Sequence, residues 1–513
     1  MAGRDRILEC FLGQPGGQPA TVAPDGTVWT FDEVLGRALA VAQQLRARAQ
    51  VGGRVVLVRA GPTPLFSVTD LAVLLAGGVP SALPDLTGQQ LAAVWRVLDP
   101  AAVIDTTTGA ESDPLNDAVW QTRTPLLRVG EASCRPTGTV VQWRAVARRW
   151  SAARLEQAAS VVFTSGTTGT PRSVVLADTA LVRGVRAWNA QWNHRPERTL
   201  AYLPVSHVAQ RIMGHTLMCL YGTTVVASHP DRVAADLVAH RPDTLLGVPH
   251  AWARLAAAAA QDADLRAALS GVRVAVNGAA ALDRTVAAEL KQYAGLRIMG
   301  AYGATETTTP VFHSHDASLP GLGQPVGVDF HLTAEGELQL RGPNLATGYV
   351  DCWPHLRPVT GRDGWLRTGD LVRVDGDGQI QLVGRLASSF KTSRGEMISP
   401  EAVEAHLLTH PDVTAACLLG PGLPRAVALV CAPRSAAWSP QRIAAFENAL
   451  LMRAEEARRH GEVPWSDLAA VRVLSDSWRD LALVTSTGKP RRSAIAERYL
   501  HLLTLPERAR VPA

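Results

Sequence analysis

The chain has 513 residues and a formal net charge of +5; 47% of its residues are hydrophobic and 19% are charged. This balance excludes a disordered chain, because it provides enough apolar surface for a large buried core. The sequence contains no lysine- and arginine-rich run of the nucleic-acid-binding type, and no apolar stretch reaches the roughly 18 residues that span a bilayer.

Short apolar runs alternate with amphipathic stretches along most of the chain. Five of the runs predict buried strands: Gly53–Val58, Ser160–Phe163, Thr199–Leu203, Thr244–Val248 and Val272–Val276. Three of the amphipathic stretches predict helices: Phe31–Ala49, Leu181–Trp192 and Ala251–Leu269. Alternation of strands with helices predicts parallel sheets covered by helices, which is the α/β class.

The pattern changes twice towards the C-terminus. From Gly336 the runs GELQLRG, GWLRTGDLVRV and GQIQLVGR predict a small antiparallel β unit. After Arg385 the sequence predicts a compact α+β region, with helices at Pro400–Thr409 and Pro440–Arg459 and strands at Val413–Leu419 and Ala426–Cys431. We therefore expect a large N-terminal α/β domain of several subdomains, residues 1–384, and a small α+β domain, residues 385–513.

The six cysteines are scattered along the chain and include no Cys-x-x-Cys pair. This spacing argues against a zinc site and against a disulfide framework. The N-terminal sequence MAGRDRILECFLGQPGG lacks the apolar centre of a signal peptide. A reducing cytoplasm is therefore the expected setting.

The segment Val161–Asp178, VVFTSGTTGTPRSVVLAD, has the chemistry of an anion-binding loop. Glycines permit backbone conformations that gather N–H groups around an anion, hydroxyls add donors, and an arginine adds positive charge. The Walker pattern GxxxxGK[ST] is absent, so the loop is of another kind. The candidate phosphate-binding residues are Thr164, Ser165, Gly166, Thr167, Thr168, Gly169 and Arg172.

This segment resembles the phosphate loop of the adenylate-forming enzymes, which include acyl-CoA synthetases, non-ribosomal peptide adenylation domains and luciferases. Four further motifs follow in the order of that family: Ala301–Glu306 (AYGATE), Gly364–Asp370 (GWLRTGD), Gly384–Pro400 (GRLASSFKTSRGEMISP) and Ser486–Lys489 (STGK). Two other segments, Leu203–Arg211 (LPVSHVAQR) and Asn277–Leu282 (NGAAAL), are most similar to the long-chain fatty-acyl-CoA ligase branch.

The resemblance implies a nucleotide site. Tyr302 would stack on adenine, Thr305 would bind the α-phosphate, and Glu306 would be the oxygen ligand of Mg²⁺. Asp370 would accept the ribose hydroxyls, and Arg385 would reach the ribose or a phosphate. The remaining candidates for nucleotide binding are Gly278, Ala279, Ala301 and Gly303.

Two further side chains would act on the acid. His207 resembles the family histidine that gates or orients the acyl group. Lys489 matches the lysine that bridges the substrate carboxylate, the α-phosphate and the ribose oxygen. Only three of the 51 basic residues in this chain are lysines. The chain uses arginine at nearly all its other basic positions, so the lysine at this position is an exception to its composition.

The implied reaction is adenylation. An acid oxygen attacks the α-phosphate of Mg·ATP, giving an acyl-adenylate and pyrophosphate, and the protein contributes positioning and charge neutralisation. In the family a mobile C-terminal domain then rotates about a hinge, here at about residues 384–389, and a thiol attacks the adenylate. We therefore expect an AMP-forming ligase that uses ATP, Mg²⁺ and CoA and takes a small-molecule acid as its substrate.

The hinge departs from the family pattern. Family members usually read Gly-Arg-x-Lys-Asp, whereas Gly384 and Arg385 are followed here by Leu386, Ala387 and Ser388. The charged pair of the hinge is absent, so the sequence supports adenylation more strongly than it supports the thiol half-reaction.

Two alternatives follow from this departure. The first is an ATP-dependent diazotase, which adenylates nitrite and transfers it to an amine in natural-product biosynthesis without CoA. The second is a nucleotide-binding regulator without catalysis. The joint presence of Glu306, Asp370, Arg385 and Lys489 argues against the regulator.

Overall fold

A computed structural model describes residues 6–107, 113–152, 158–164, 171–319, 321–394, 397–421, 423–459, 468–484 and 490–502. The α-helices of these segments are α1 (Ile7–Leu12), α2 (Phe31–Arg48), α3 (Pro64–Ala76), α4 (Gly88–Leu98), α5 (Pro114–Thr122), α6 (Val140–Ala152), α7 (Asp178–Asn189), α8 (Val208–Arg211), α9 (Leu217–Tyr221), α10 (Val233–His240), α11 (Pro249–Ala259), α12 (Ala263–Ser270), α13 (Arg284–Ala294), α14 (Pro400–Leu407), α15 (Pro440–Arg459) and α16 (Arg492–Arg498). A π-helical turn, Ile212–Thr216, joins α8 to α9.

The strands of the same segments, in chain order, are β1 (Pro19–Val22), β2 (Val28–Thr30), β3 (Val55–Arg59), β4 (Val79–Ala82), β5 (Ala102–Asp105), β6 (Leu126–Arg128), β7 (Ala158–Thr164), β8 (Arg172–Ala177), β9 (Arg198–Ala201), β10 (Thr224–Ala227), β11 (Thr244–Gly247), β12 (Val274–Asn277), β13 (Ile298–Tyr302), β14 (Phe312–Ser314), β15 (Gln324–Pro325), β16 (Asp329–Leu332), β17 (Glu337–Arg341), β18 (Gly348–Cys352), β19 (His355–Pro358), β20 (Leu366–Val374), β21 (Ile380–Arg385), β22 (Phe390–Lys391), β23 (Met397–Ile398), β24 (Ala415–Leu419), β25 (Ala426–Cys431) and β26 (Leu468–Leu474).

The largest sheet has nine strands in the order β15-β14-β13-β12-β11-β9-β10-β1-β2. From β13 to β1 the neighbouring strands are parallel, and antiparallel strands extend the sheet on both sides. Successive residues of β10, Val225 and Val226, belong to two different hydrophobic clusters, because side chains alternate between the faces of a strand. Both faces of this sheet are therefore buried.

Two smaller sheets complete the first part of the chain. Strands β4, β3, β5 and β6 are all parallel, and each is followed or preceded by a helix. Strands β19, β18, β8 and β7 are antiparallel to their neighbours. The strand that leads into the predicted phosphate loop therefore belongs to a hairpin, β7–β8, because the apolar run after Arg172 forms a second strand.

The chain divides into two compact units. The first comprises Met1–Phe330 and Leu340–Leu366, and the second comprises His331–Gln339 and Arg367–Ala513. Within the second unit β20 pairs antiparallel with β21, β24 with β25, and β25 runs parallel to β26 beneath α14 and α15. The hinge expected at residues 384–389 lies within the second unit and stays a prediction.

Most of the elements expected from the sequence are confirmed, and so is the α/β class with a smaller C-terminal region. One helix prediction is wrong: Ala251–Leu269 forms two helices, α11 and α12. The break occurs because the Asp262 carboxylate accepts the Leu265 N–H at 2.9 Å and starts a new helix. In the part of the chain that the structure describes, no helix is both long and apolar enough to cross a bilayer.

A buried ion pair joins α3 to α8 in the first unit. The two carboxylate oxygens of Asp70 accept hydrogen bonds from the Arg211 guanidinium at 2.7 Å each, and His215 Nε2 lies 3.0 Å from the same carboxylate. The three side chains are at most 3% exposed. Burial alone would raise the pKa of Asp70, but the attraction of Arg211 and His215 outweighs it and holds that pKa at about 2.

Replacing Asp70 by alanine should destabilise the first unit by about 3 kcal/mol, because the Arg211 charge would stay buried without its partner. Urea unfolding measures this loss. The matched control is Asp231→Ala, which breaks the exposed Arg254–Asp231 pair and should cost less than about 1 kcal/mol.

The ion pair also predicts a pH dependence. The pKa of Asp70 is about 2 in the folded chain, below its ordinary value of 3.8. The contribution of its charge to the free energy of unfolding is therefore fully present above pH 3.8 and is lost as the pH falls towards 2. Equal urea midpoints for the two variants at pH 7 would contradict this account of the pair.

Candidate active site

The candidate residues for binding adenine and the acid lie on one side of the nine-stranded sheet, at the carboxyl ends of its parallel strands. Strands β9, β11, β12 and β13 are parallel neighbours, so their carboxyl ends lie on the same side. Ligands of open α/β sheets bind beyond the carboxyl ends of the strands. The residues at or just beyond these ends are His207, Gly278, Ala279, Ala301, Tyr302 and Gly303.

The turn after β12 is held in an unusual backbone conformation. Ala279 has a φ of +72°, which is left-handed and costs free energy for alanine. The buried Asn277 holds the turn, because its Nδ2 donates to the Ala280 carbonyl at 2.8 Å. The Gly278 N–H donates to the Gly247 carbonyl of the neighbouring strand at 3.1 Å. The turn therefore presents backbone and methyl-sized side chains at the sheet edge, where a flat ring can approach.

A compact turn follows β13. A Cβ at Gly303 would lie 2.9 Å from the Thr309 carbonyl oxygen and 3.0 Å from Pro310 Cα, so only glycine fits there. The buried Thr307 hydroxyl accepts the Ala304 N–H at 2.9 Å and lies 2.8 Å from the Thr309 carbonyl. These bonds leave Thr305 and Glu306 at the partly exposed side of the turn.

Glu306 has a hydrogen-bond partner that the sequence analysis did not identify. The Tyr349 hydroxyl donates to Glu306 Oε1 at 2.9 Å. The Arg172 guanidinium lies 6.0 Å from the centre of the Tyr349 ring, and that of Arg357 lies 4.9 Å from it. Desolvation and the Glu306 charge raise the pKa of Tyr349, so its phenol stays protonated and remains a donor.

Tyr349 reaches this position through strand pairing. Strand β18 pairs with β8, with Tyr349 opposite Val174, and the Ala346 N–H donates to the Glu306 carbonyl at 2.8 Å. A tyrosine in an alternating strand carries no sequence marker of such a role. Only the pairing of two distant segments identifies it.

The predicted phosphate loop begins and ends at paired positions. Thr164 and Arg172 lie opposite each other where β7 pairs with β8. Arg172 is exposed and Thr164 is half-buried. Five candidates lie outside the described residues: Ser165, Gly166, Thr167, Thr168 and Gly169.

His207 occupies the N-terminal cap position of α8. Its N–H donates to the Pro204 carbonyl at 3.0 Å, and Gln210 Oε1 accepts the Leu203 N–H at 3.0 Å, so the loop after β9 folds back on itself. Part of the His207 side chain is exposed to solvent. The protein around its ring still removes enough water to lower the pKa of the imidazole below 6.5. The imidazole is therefore neutral at pH 7 and can act as a hydrogen-bonding group.

In the second unit the two ribose candidates are brought together. Asp370 and Arg385 face each other across β20 and β21, with 2.8 Å between Arg385 Nε and Asp370 Oδ1. The Asp370 side chain is 4% exposed, whereas that of Arg385 is 55% exposed. The left-handed Gly369, with a φ of +70°, turns the strand just before Asp370. Lys489 lies outside the described residues.

The segment after β21 is tied to α14 by polar side chains. The Ser388 hydroxyl donates to the Glu401 carboxylate. Arg492 donates to Glu404 at 2.8 Å and lies 3.9 Å from Glu401. A negative charge, that of Glu401, therefore lies beside Ser388, and Arg492 lies close to that carboxylate.

The donor set suits a magnesium ion that arrives with a nucleotide. Among the described residues no group of three or more histidine, cysteine, aspartate or glutamate side chains could hold a metal by itself. Glu306 supplies a single carboxylate. Mg²⁺ commonly takes one or two protein carboxylates while phosphates and water complete its shell, so this residue fits the expected ion.

Comparison with known proteins identifies the family of the chain. The family model described as AMP-binding enzyme matches residues 10–350. The long-chain-fatty-acid–CoA ligase FadD15 of Mycobacterium tuberculosis is 27% identical, over 89% of this chain and 90% of its own. The isonitrile lipopeptide synthase of Streptomyces coeruleorubidus is 31% identical, over 81% of this chain and 29% of its own.

Solved structures share the fold. ATP-bound MatB from Rhodopseudomonas palustris is 20% identical with a TM-score of 0.78, and the match covers 98% of this chain and all of that one. A malonyl-CoA ligase with methylmalonyl-CoA and AMP bound is 26% identical with a TM-score of 0.60, over 91% of this chain and 97% of that one. The resemblance drawn from the motifs is thus confirmed: the chain belongs to the AMP-binding enzyme family and is an AMP-forming ligase.

Proposed function

We propose that this ligase adenylates a carboxylic acid with Mg·ATP and then transfers the acyl group to the thiol of CoA. The observation that carries the proposal is the arrangement of Glu306, Tyr349 and Arg172 beside the paired ends of the phosphate-loop hairpin. A carboxylate that a protonated phenol orients and a guanidinium nearby support this proposal, because Mg²⁺ takes carboxylate ligands and a guanidinium binds phosphate oxygens.

Each candidate then has a task. Glu306 would hold Mg²⁺, which when bound supplies charge neutralisation on the phosphates. Arg172, Thr164 and the hydroxyls of the loop would bind phosphate oxygens, and Thr305 would bind the α-phosphate. The adenine would stack on Tyr302 against a floor formed by Gly278, Ala279, Ala301 and Gly303.

The remaining tasks concern the ribose and the acid. Asp370 would accept hydrogen bonds from the ribose hydroxyls, with Arg385 holding its carboxylate in place. The neutral His207 would orient the acid, and Lys489 would bring positive charge to the attacking carboxylate and the α-phosphate. FadD15 is a fatty-acid–CoA ligase, and so is the medium-chain enzyme of Escherichia coli, which is 30% identical over 52% of this chain. These relatives support a carboxylic acid and CoA as the substrates.

Product analysis tests this function. The purified protein receives ATP and Mg²⁺ in two arms, one with fatty or aryl acids and CoA, the other with nitrite and an aromatic amine. We expect AMP, pyrophosphate and an acyl-CoA in the first arm only, and loss of AMP formation in Lys489→Ala. AMP release that requires nitrite and ignores CoA would instead establish the diazotase alternative.

Tyr349→Phe should lower the adenylation kcat by about tenfold and raise the Mg²⁺ concentration needed for half-maximal rate, because Glu306 loses the donor that orients it. Steady-state pyrophosphate release at varied Mg²⁺ measures both effects. Tyr293→Phe on α13 is the matched control and should behave as the wild type. An unchanged Mg²⁺ dependence in Tyr349→Phe would contradict the orienting role.

Ser388→Asp should destabilise the second unit by about 1 kcal/mol, or about 2–4 °C in Tm, because a second carboxylate would face Glu401. Ser388→Asn is the neutral control of the same shape, and its amide can still donate to Glu401. Single-turnover rates of the two half-reactions should change at the thioester step, and in Ser388→Asp alone. If both variants keep the wild-type rates and Tm, the departure at residue 388 has no functional consequence.

A further inference from the structure

A narrow cavity lies between α3, α8 and the sheet strands β1, β9 and β10 in the first unit. Its walls include the small apolar residues Ala201 and Ala227 at the carboxyl ends of two strands, and Phe66 and Val205 from the facing segments. The space amounts to about 20 Å³, which is room for one or two water-sized groups. The cavity therefore suits the end of a ligand and not a whole ring system.

Three residues that line the cavity each have a buried polar atom without a hydrogen-bond partner within the described segments: Thr21 Oγ1, Thr63 Oγ1 and Gln210 Nε2. Thr21 and Gln210 are 1% and 2% exposed. The orientation of the Gln210 amide is fixed, because its Oε1 already accepts the Leu203 N–H, so Nε2 remains as a donor. Unpaired buried polar groups are costly, and three of them around one cavity indicate a polar occupant.

The charges around the cavity exclude an ionic occupant. His215 lines the wall, but its two ring nitrogens face Ser67 at 3.3 Å and Asp70 at 3.0 Å. Arg211 is bound to Asp70 by two hydrogen bonds. The described lining residues include no lysine, arginine, aspartate or glutamate. A carboxylate of a ligand in this cavity would therefore be buried without a partner. An uncharged group that donates and accepts hydrogen bonds, such as a hydroxyl, fits.

The cavity adjoins the segment that carries the acid-orienting candidate. Gln210 lies three residues after His207, and Val205 lies two residues before it. The absence of a side chain at Gly214 keeps the space open, since a Cβ there would lie 3.3 Å from Gln210 Nε2. Gly214 belongs to the π-helical turn, a feature that often occurs at functional sites.

We propose that this cavity binds the distal end of the acid, and that the enzyme prefers acids ending in a hydroxyl over acids of equal length ending in a methyl group. Thr21, Thr63 and Gln210 then determine specificity, because a methyl end would leave them unpaired. This inference rests on the proposed adenylation and names the class of acid that the same site accepts.

The test uses two ladders of straight-chain acids of increasing length, one ending in a hydroxyl and the other in a methyl group with the same number of heavy atoms. Acid-dependent AMP formation gives kcat/KM for each pair. At the length that fills the cavity, we expect the hydroxy acid to be preferred at least about tenfold. Equal kcat/KM within every pair would mean that the cavity holds only structural water, and the proposal would be wrong.

Variants assign the preference to the cavity. Thr21→Val combined with Thr63→Val keeps the side-chain shapes and removes both hydroxyls, and should reduce the preference to about twofold or less. The matched control is Thr244→Val on β11, whose hydroxyl is equally buried but does not line the cavity. A double variant that keeps the wild-type preference would overturn the assignment.

Gly214→Ala provides a second variant if the double variant fails to fold. Its methyl group would narrow the cavity and should shift the optimum of the hydroxy-acid ladder to a shorter acid. An unshifted optimum in a folded Gly214→Ala protein would contradict the proposal.

The two proposals fail in different ways. If no acid in either ladder gives AMP, the proposed adenylation is wrong. Binding of the acids to the cavity is then tested by the change in Tm that each acid causes. Stabilisation by hydroxy acids alone, lost in the double variant, would still support the cavity. Equal or absent stabilisation by the two ladders would overturn it.

Discussion

Parallel pairing in the nine-stranded sheet is the constraint on which the first unit depends. Because β9, β11, β12 and β13 all run the same way, the loops that follow them emerge at one edge, although they come from distant parts of the chain. His207, the turn around Ala279 and Tyr302 therefore lie at the same end of the parallel strands. Burial of both faces of the sheet stabilises the strand order, and the carboxyl ends of the strands are then the candidate position for ligand binding.

Polar contacts then set the position of each loop. The Asp70–Arg211 pair anchors the helix after His207, Asn277 holds the strained turn at Ala279, and Thr307 ties the turn that presents Glu306. Each of these buried groups bonds to a partner in or beside its loop and so restricts the conformations that the loop can adopt. Such preorganisation is what adenylation requires, since its transition state is stabilised mainly by positioning and charge.

The sequence predicted candidate site residues within contiguous motifs and missed candidates that are brought together only by strand pairing. AYGATE and GWLRTGD contain glycines and charged residues whose spacing can be read directly, and the structure puts Asp370 beside Arg385. Tyr349 and the cavity around Gln210 depend on segments that are far apart in the chain, and no spacing predicts them. The sequence did not predict the break between α11 and α12, because the alanine-rich run before Asp262 favours one continuous helix over a new helix capped by Asp262. The hinge stays a prediction, and the structure adds one contact that no motif indicates: Ser388 donates to Glu401, and Arg492 lies 3.9 Å from that carboxylate.

Formation of an acyl-adenylate by this ligase can be measured without CoA or an amine, as acid-dependent exchange of labelled pyrophosphate into ATP. The reaction is reversible at the adenylate, so label should enter ATP only when both a carboxylic acid and Mg²⁺ are present. Glu306→Gln should abolish the exchange. Exchange that no carboxylic acid supports, or ATP cleavage to ADP and phosphate, would contradict the account.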